Sequence, residues 1–226
     1  MNSDINTLQA LLRRRHSCRA FLPGPVPEDL VAQIVTTAQA VPSWCNAQPW
    51  HLIVTRAAET DRLRTALTEE AASQPAAPDI PFPAQYTGAY KSRRSACGWA
   101  LYDAVGVTKG DRAGSAAQMM ENFRFFGAPH IALITTEADL GPYGVLDCGA
   151  FIAAFTLAAE ALGIASIPQA AVAAYAPFLH RWFGIPATRQ VVCAISFGFE
   201  DTDHPANSFR TARAPLTDVL RWSDPS

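Results

Sequence analysis

The stretch DCGAFIAAFTLAAEAL, residues 147–162, decides the architecture. It is apolar at nearly every position, opens on Asp147 and is followed by Gly163, so it reads as a helix without a polar side. A helix apolar all round is central, enclosed by the core or by a second subunit. Its most apolar run, Cys148 to Ala159, has about a dozen residues before Glu160 interrupts it, short of the ~20 that span a bilayer.

Outward from this helix, His130–Thr135 and Gln190–Phe199 read as buried strands, and Trp50–Thr55 as a third. Asp4 caps a first helix with Ile5, Leu8, Leu11 and Leu12 at helical spacing. Pro27, Glu28 and Asp29 open a second, whose stripe is Leu30, Ile34, Val35 and Ala38. Further helices are expected over Glu59–Ala72, 92–106, 111–126 and Ala171–Phe183. Residues 73–90 carry Pro75, Pro78, Pro81 and Pro83 and read as an irregular loop. The tail, 200–226, has little periodicity and must lean on something else, such as a partner subunit. No repeat or linker divides the chain. The expectation is one α+β domain over 1–226, a small mixed or antiparallel sheet wrapped by helices.

Composition narrows the function. Hydrophobic residues make up 49% of the 226 and charged residues only 17%, which is apolar for a monomer and hints at an oligomer. A net charge of −2 argues against coating nucleic acid, which needs a basic face. The five cysteines, Cys18, Cys45, Cys97, Cys148 and Cys193, form no CxxC pair and read as reduced cytosolic thiols. No HExxH or other metal-site spacing occurs, and the N-terminus lacks a signal-peptide core. The chain is therefore expected to be cytoplasmic and to hold no metal. GxGxxG after a strand, the P-loop and the GxSxG elbow are likewise absent, so any phosphate must be met by side-chain cations.

Four segments can carry chemistry. Arg15, His16, Ser17 and Arg19 put three cations and a hydroxyl within five residues, a fork for a phosphate or simply a solvated helix end. Ser43, Asn46 and Gln48 lie between prolines beside Trp44 and Trp50. Their amides complement a ring edge of alternating carbonyls and N–H groups, or cap an ordinary turn. Gly163–Ala171 reads as a connector that offers backbone N–H groups ahead of the next helix. Arg210 and Arg213 stand in the tail, where spacing alone does not separate pocket from surface.

Taken in order, these segments resemble the FMN-dependent nitroreductase family. The resemblance rests on RRRHSCRAF (13–21), VPSWCNAQPWHLIV (41–54), NFRFFGAPH (122–130), LGIASIPQAA (162–171) and VVCAISFGFED with NSFRTARAPL (191–201, 207–216). RRSACGWALYDAVGV (93–107) is most similar to nitrobenzoate-reductase-like members. The resemblance implies an intertwined homodimer with two FMN sites at the interface. Arg15, Ser17 and Arg213 would hold the FMN phosphate and ribityl chain, Arg210 assisting and His16 beside it. Arg19 would stand at the pyrimidine end. Asn46 and Gln48 would reach the ring edge and sugar chain from the partner subunit, with Ser43 and Trp44 packed nearby. Pro168, Gln169 and Ala170 would line a flavin face, and Asn122 would meet the ring's polar edge; Arg124 is the nearest cation in that helix. Phe82, Tyr86 and Tyr90 are candidate contacts for the acceptor or, equally, anchors of their own loop.

The implied reaction is ping-pong: NADH or NADPH reduces FMN and leaves, and a nitroaromatic or quinone takes its place. No catalytic side chain is then required, because the flavin carries the chemistry. Relatives with the same fold perform dehydrogenation, dehalogenation or flavin cleavage, and a flavin-binding protein without catalysis is a further alternative.

Overall fold

A computed structural model describes residues 3–223. Four strands form one sheet: β1 (His51–Val54), β2 (His130–Glu137), β3 (Ala165–Gln169) and β4 (Arg189–Gly198), in the order β1-β2-β4-β3. Every pairing between them is antiparallel. Seven helices surround the sheet among the described residues: α1 (Ser3–Arg14), α2 (Glu28–Ala38), α3 (Ala57–Ser73), α4 (Gly88–Ala104), α5 (Arg112–Met120), α6 (Gly141–Ala161) and α7 (Ala176–Phe183).

Alternation along β2 divides the core. Ala132 and Ile134 face a cluster with Phe151 and Phe155 of α6, Ile34 of α2, and Phe197 and Trp50. Ile131 and Leu133 face the opposite cluster, with Leu63 and Leu67 of α3, Leu179 of α7, and Phe123, Phe125 and Phe126. A helical layer thus covers each face. The imidazole of His130, buried at the start of β2, joins three segments. Its Nδ1 bonds the Thr55 carbonyl at 2.8 Å and its Nε2 accepts from the Val26 amide at 3.0 Å. A carbonyl only accepts and an amide N–H only donates, so these partners select the neutral Nδ1–H tautomer.

The expected helix at 147–162 is α6, and it begins one and a half turns earlier, with Pro142 at its first turn. By length and composition it could cross a membrane. Its buried positions, Gly144, Asp147, Cys148, Phe151, Phe155 and Ala159, form a stripe against the sheet. Its outer face shows Tyr143 and Leu146, 57% and 67% exposed. Along α1, Ile5, Leu8 and Leu12 are similarly uncovered. The chain exposes 13281 Å², where a compact 24.3 kDa monomer is expected to expose roughly 10,000 Å².

Several boundaries differ from the sequence reading. Residues 163–171 are not a simple connector: Ala165–Gln169 is a strand, because its backbone completes the ladder on β4 despite Pro168. Proline is tolerated there because β3 is the outer strand of the four. The helix expected over 111–126 stops at Met120, since Phe125 and Phe126 adopt φ of 57° and 52° to turn their rings into the core. Ala171–Phe183 divides into a 3-10 segment, Ala170–Tyr175, and α7. The proline-rich loop ends at Thr87, and its first half is tied down: Ala77 N donates to Ala174 O at 2.7 Å, and Asp79 accepts from Val191 N at 2.7 Å. Residues 224–226 of the tail lie outside the described residues.

Burial pushes the thiol of Cys18 up to about 12, Cys148 to about 11 and Cys193 to about 12. At pH 8 these three should resist a disulfide reagent in the folded protein, while all five cysteines react in denaturant. Peptide mapping after labelling checks this, and rapid modification of Cys148 or Cys193 in the native state would contradict it.

Candidate active site

Where the chain leaves α1, it runs along the outer edge of β3. Ser17 bridges Ser166 in parallel, the Cys18 amide donating to the Ser166 carbonyl at 3.2 Å. This bridge fixes Arg15, His16, Ser17 and Arg19 beside the sheet. The tail arrives from the other side, held by Asn207, which is 4% exposed. Its Oδ1 accepts from the Arg19 amide and its Nδ2 donates to Ala20 O at 3.0 Å. N-terminal arm and C-terminal tail, nearly 200 residues apart in the chain, are thereby laid together.

Between them is a cavity of about 350 Å³ lined by Arg13, Arg15, Arg19, Arg210 and Arg213, together with Ser17 and Cys97. No carboxylate lines it. Desolvation and the nearby Arg213 charge both lower the pKa of Arg15, with Glu160 opposing them. Desolvation also lowers that of Arg19, whose Nη1 donates to Ser17 O at 3.0 Å and whose guanidinium lies 5.4 Å from the Phe209 ring centre. Arg210 and Arg213 are steadied by carbonyls of their own segment, at 2.7 Å from Asn207 O and 3.1 Å from Thr211 O. His16 pairs with Glu200 at 3.0 Å. Partly dehydrated like charges facing one cavity are favourable only with an anion among them. The donor set suits a phosphate.

Other expected site residues divide into two groups. Pro168, Gln169 and Ala170 lie at the end of β3, continuous with the arm at Ser166. The Gln169 side chain points inward, however. Its Oε1 accepts from Ser196 Oγ and its Nε2 donates to Asn122 O at 2.9 Å, so only its backbone can face a ligand. Asn122 donates its own amide to Met119 O at 2.9 Å, and Arg124 pairs with Glu121 at 2.6 Å.

The second group sits elsewhere. Ser43, Trp44, Asn46 and Gln48 form a loop pinned to α6 by Asp147, which accepts from the Trp44 amide at 3.0 Å. Ser43 Oγ accepts from the Gln48 amide at 2.9 Å. Cys45, Asn46 and Gln48 adopt φ of 49°, 57° and 48°. Left-handed non-glycine residues cost about 1–3 kcal/mol each and gather at functional sites. Glu160, at the other end of α6, pairs with Arg14 at 2.9 Å. Thirteen residues of helix separate Asp147 from Glu160, roughly 20 Å. Within one chain, then, the amide loop and the arginine cavity stand at opposite ends of α6. Sequence reading did not single out Asp147 or Asn207 as organisers of these two sites, since neither has a motif of its own.

The Nitroreductase family pattern matches residues 12–199. The chain belongs to the nitroreductase family. It is 34% identical over 220 residues to nitroreductase NfnB of Mycolicibacterium smegmatis, covering 95% of this chain and 92% of that one. It is 31% identical to 4-nitrobenzoate reductase of Pseudomonas putida, covering 90% of both. The crystal structure of FMN-dependent NfnB from Mycobacterium smegmatis in complex with NADPH superposes with a TM-score of 0.92 at 32% identity, over 97% of this chain and 99% of that one. In this nitroreductase the cofactor is FMN, and the arginine cavity has the charge its phosphate demands.

Arg15→Ala should weaken FMN binding about 10- to 100-fold, the loss of one charge-assisted contact. Arg213→Ala should act in the same direction. Titration of the apoprotein with FMN, followed by flavin fluorescence, checks both; unchanged affinity in both variants rejects the phosphate clamp.

Proposed function

We propose that two copies of the chain build each active site together, and that its acceptors are nitroaromatics or quinone-like compounds. The enzyme is an FMN-dependent NAD(P)H oxidoreductase. When bound, FMN supplies the redox chemistry that links nicotinamide to acceptor. The observation that carries the site assignment is the set of guanidiniums of Arg15, Arg19, Arg210 and Arg213 on one cavity without a carboxylate.

Arg15, Ser17 and Arg213 hold the phosphate end, Arg210 shapes the tail around them and His16 buttresses the arm through Glu200. Arg19, desolvated and positive, favours negative charge at the pyrimidine end of the ring. Pro168 and the Gln169–Ala170 backbone form one wall. Asn46 and Gln48 complete the polar edge from the partner subunit, with Ser43 and Trp44 shaping their loop. Three observations support a shared site: the ~20 Å separation along α6, the uncovered Tyr143 and Leu146, and the excess exposed area. The tail also offers Leu216, Val219 and Trp222, 69%, 77% and 78% exposed, a segment suited to lie on a second copy. Phe82, Tyr86 and Tyr90, all exposed, form a rim suited to a flat acceptor. Reduced thiols fit a cytoplasmic location.

Purified protein should be yellow, bleach on anaerobic addition of NADH or NADPH, and recover colour when a nitroarene is added. Colour that persists with both nucleotides would reduce the protein to a flavin carrier. Gel filtration should give about twice the 24.3 kDa chain mass. Co-expressed Arg15→Ala and Gln48→Ala chains provide the test of sharing. If each site takes both residues from one chain, hybrids contain only damaged sites; if sites are shared, each hybrid regains one intact site and with it a clear fraction of activity.

A further inference from the structure

The N-terminal part of α4 holds a concentration of positive charge outside the lining of the arginine cavity. From residue 80 to 102 the chain has three cations, Lys91, Arg93 and Arg94, and no acidic residue, although the protein's net charge is −2. Arg93 is offset by Asp218 of the tail at 3.1 Å. Among the described residues no carboxylate pairs with Lys91 or Arg94.

Position makes these two cations informative. Tyr90, Arg94 and Cys97 follow i, i+4, i+7 spacing, and Lys91 is three residues before Arg94, so they form one ridge along α4. Cys97 opens onto the arginine cavity. Arg94 is one turn from it, roughly 5 Å along the axis. The Arg94 guanidinium lies over the Tyr86 ring, 5.4 Å from its centre. The ring braces the planar group while its N–H edge stays available to a ligand. Tyr90, 68% exposed, adds a flat aromatic surface one turn before Arg94. The helix N-terminus lends further positive potential to this end.

A rigid guanidinium, an ammonium and an adjacent aromatic face are what a phosphorylated purine nucleoside requires. We propose that Lys91 and Arg94 form a subsite for the 2′-phosphate of NADPH, with Tyr90 beside the adenine, and that this subsite makes NADPH the preferred reductant. The 2′-phosphate is close to dianionic at neutral pH and offers several acceptors to the Arg94 fork and the Lys91 point charge. NADH presents only a hydroxyl there and gains nothing from either cation. The proposal rests on the oxidoreductase reading above.

FMN-loaded wild type, Arg94→Ala, Arg94→Glu and Lys91→Ala would be compared in two ways: kcat/KM with NADPH and with NADH, and calorimetric binding of 2′,5′-ADP against 5′-AMP. The wild type should prefer NADPH and bind 2′,5′-ADP more tightly. Arg94→Ala should raise the NADPH KM about tenfold or more while kcat and the NADH constants stay within about twofold. Arg94→Glu should lose more, Lys91→Ala less, and 2′,5′-ADP binding should fall in parallel with 5′-AMP binding unchanged. Equal losses for both nucleotides, no loss for either, or a wild type without NADPH preference overturns the subsite while leaving the oxidoreductase reading intact. A wild type that oxidises neither nucleotide overturns both.

Discussion

The packing of α6 across the sheet is the constraint to which the rest of the molecule answers. Phe151 stacks on Trp50 with centroids 5.2 Å apart, and Phe155 meets Phe197 edge-on at 5.7 Å. Burying four such rings holds the helix by the hydrophobic effect, with aromatic geometry refining the angle. One end of α6 then carries Asp147 and the strained amide loop; the other carries Glu160 and, through Arg14, the start of the arginine arm. Because the helix is rigid, neither polar group can move toward the other. The distance between the amide loop and the arginine cavity is set by an apolar core that contains none of their polar groups.

Charge is organised by the same economy of means. The tail and the arm each bring arginines that an isolated segment would leave in water. Asn207 draws the two together with hydrogen bonds to the Arg19 amide and the Ala20 carbonyl. Bringing these guanidiniums together in a partly dehydrated cavity is unfavourable by itself, as the lowered pKa of Arg15 records. An anion reverses that balance, so a ligand that binds there stabilises the arrangement of tail on arm.

Much of this could be read from the residues. The all-apolar 147–162 stretch pointed to a central helix, and the apolar runs in 130–135 and 190–199 to buried strands. The ordered motifs named the arginines, the amide loop and the cofactor. What sequence did not disclose came from tertiary context. Ala165–Gln169 is short, contains Pro168 and is a strand only because β4 is there to pair with it. Phe125 and Phe126 leave the helical region because the core beneath them accepts two rings. Sequence places Gln169 in the segment expected along a flavin face, but not the bonds by which Ser196 and Asn122 hold its side chain from inside. Nothing in residue spacing reports such partners, since they lie tens of residues away.

The two borders of the sheet are treated differently. Along β3 the segment around Ser17 closes the border, bridging Ser166 and occupying the place where another strand could dock. Along β1 no strand of the described residues lies beyond His51–Val54, so no ladder continues on its outer side. Growth of the sheet is therefore possible in one direction only. A lysine or proline set into β1 would blunt that border, the means by which edge strands avoid pairing with another chain.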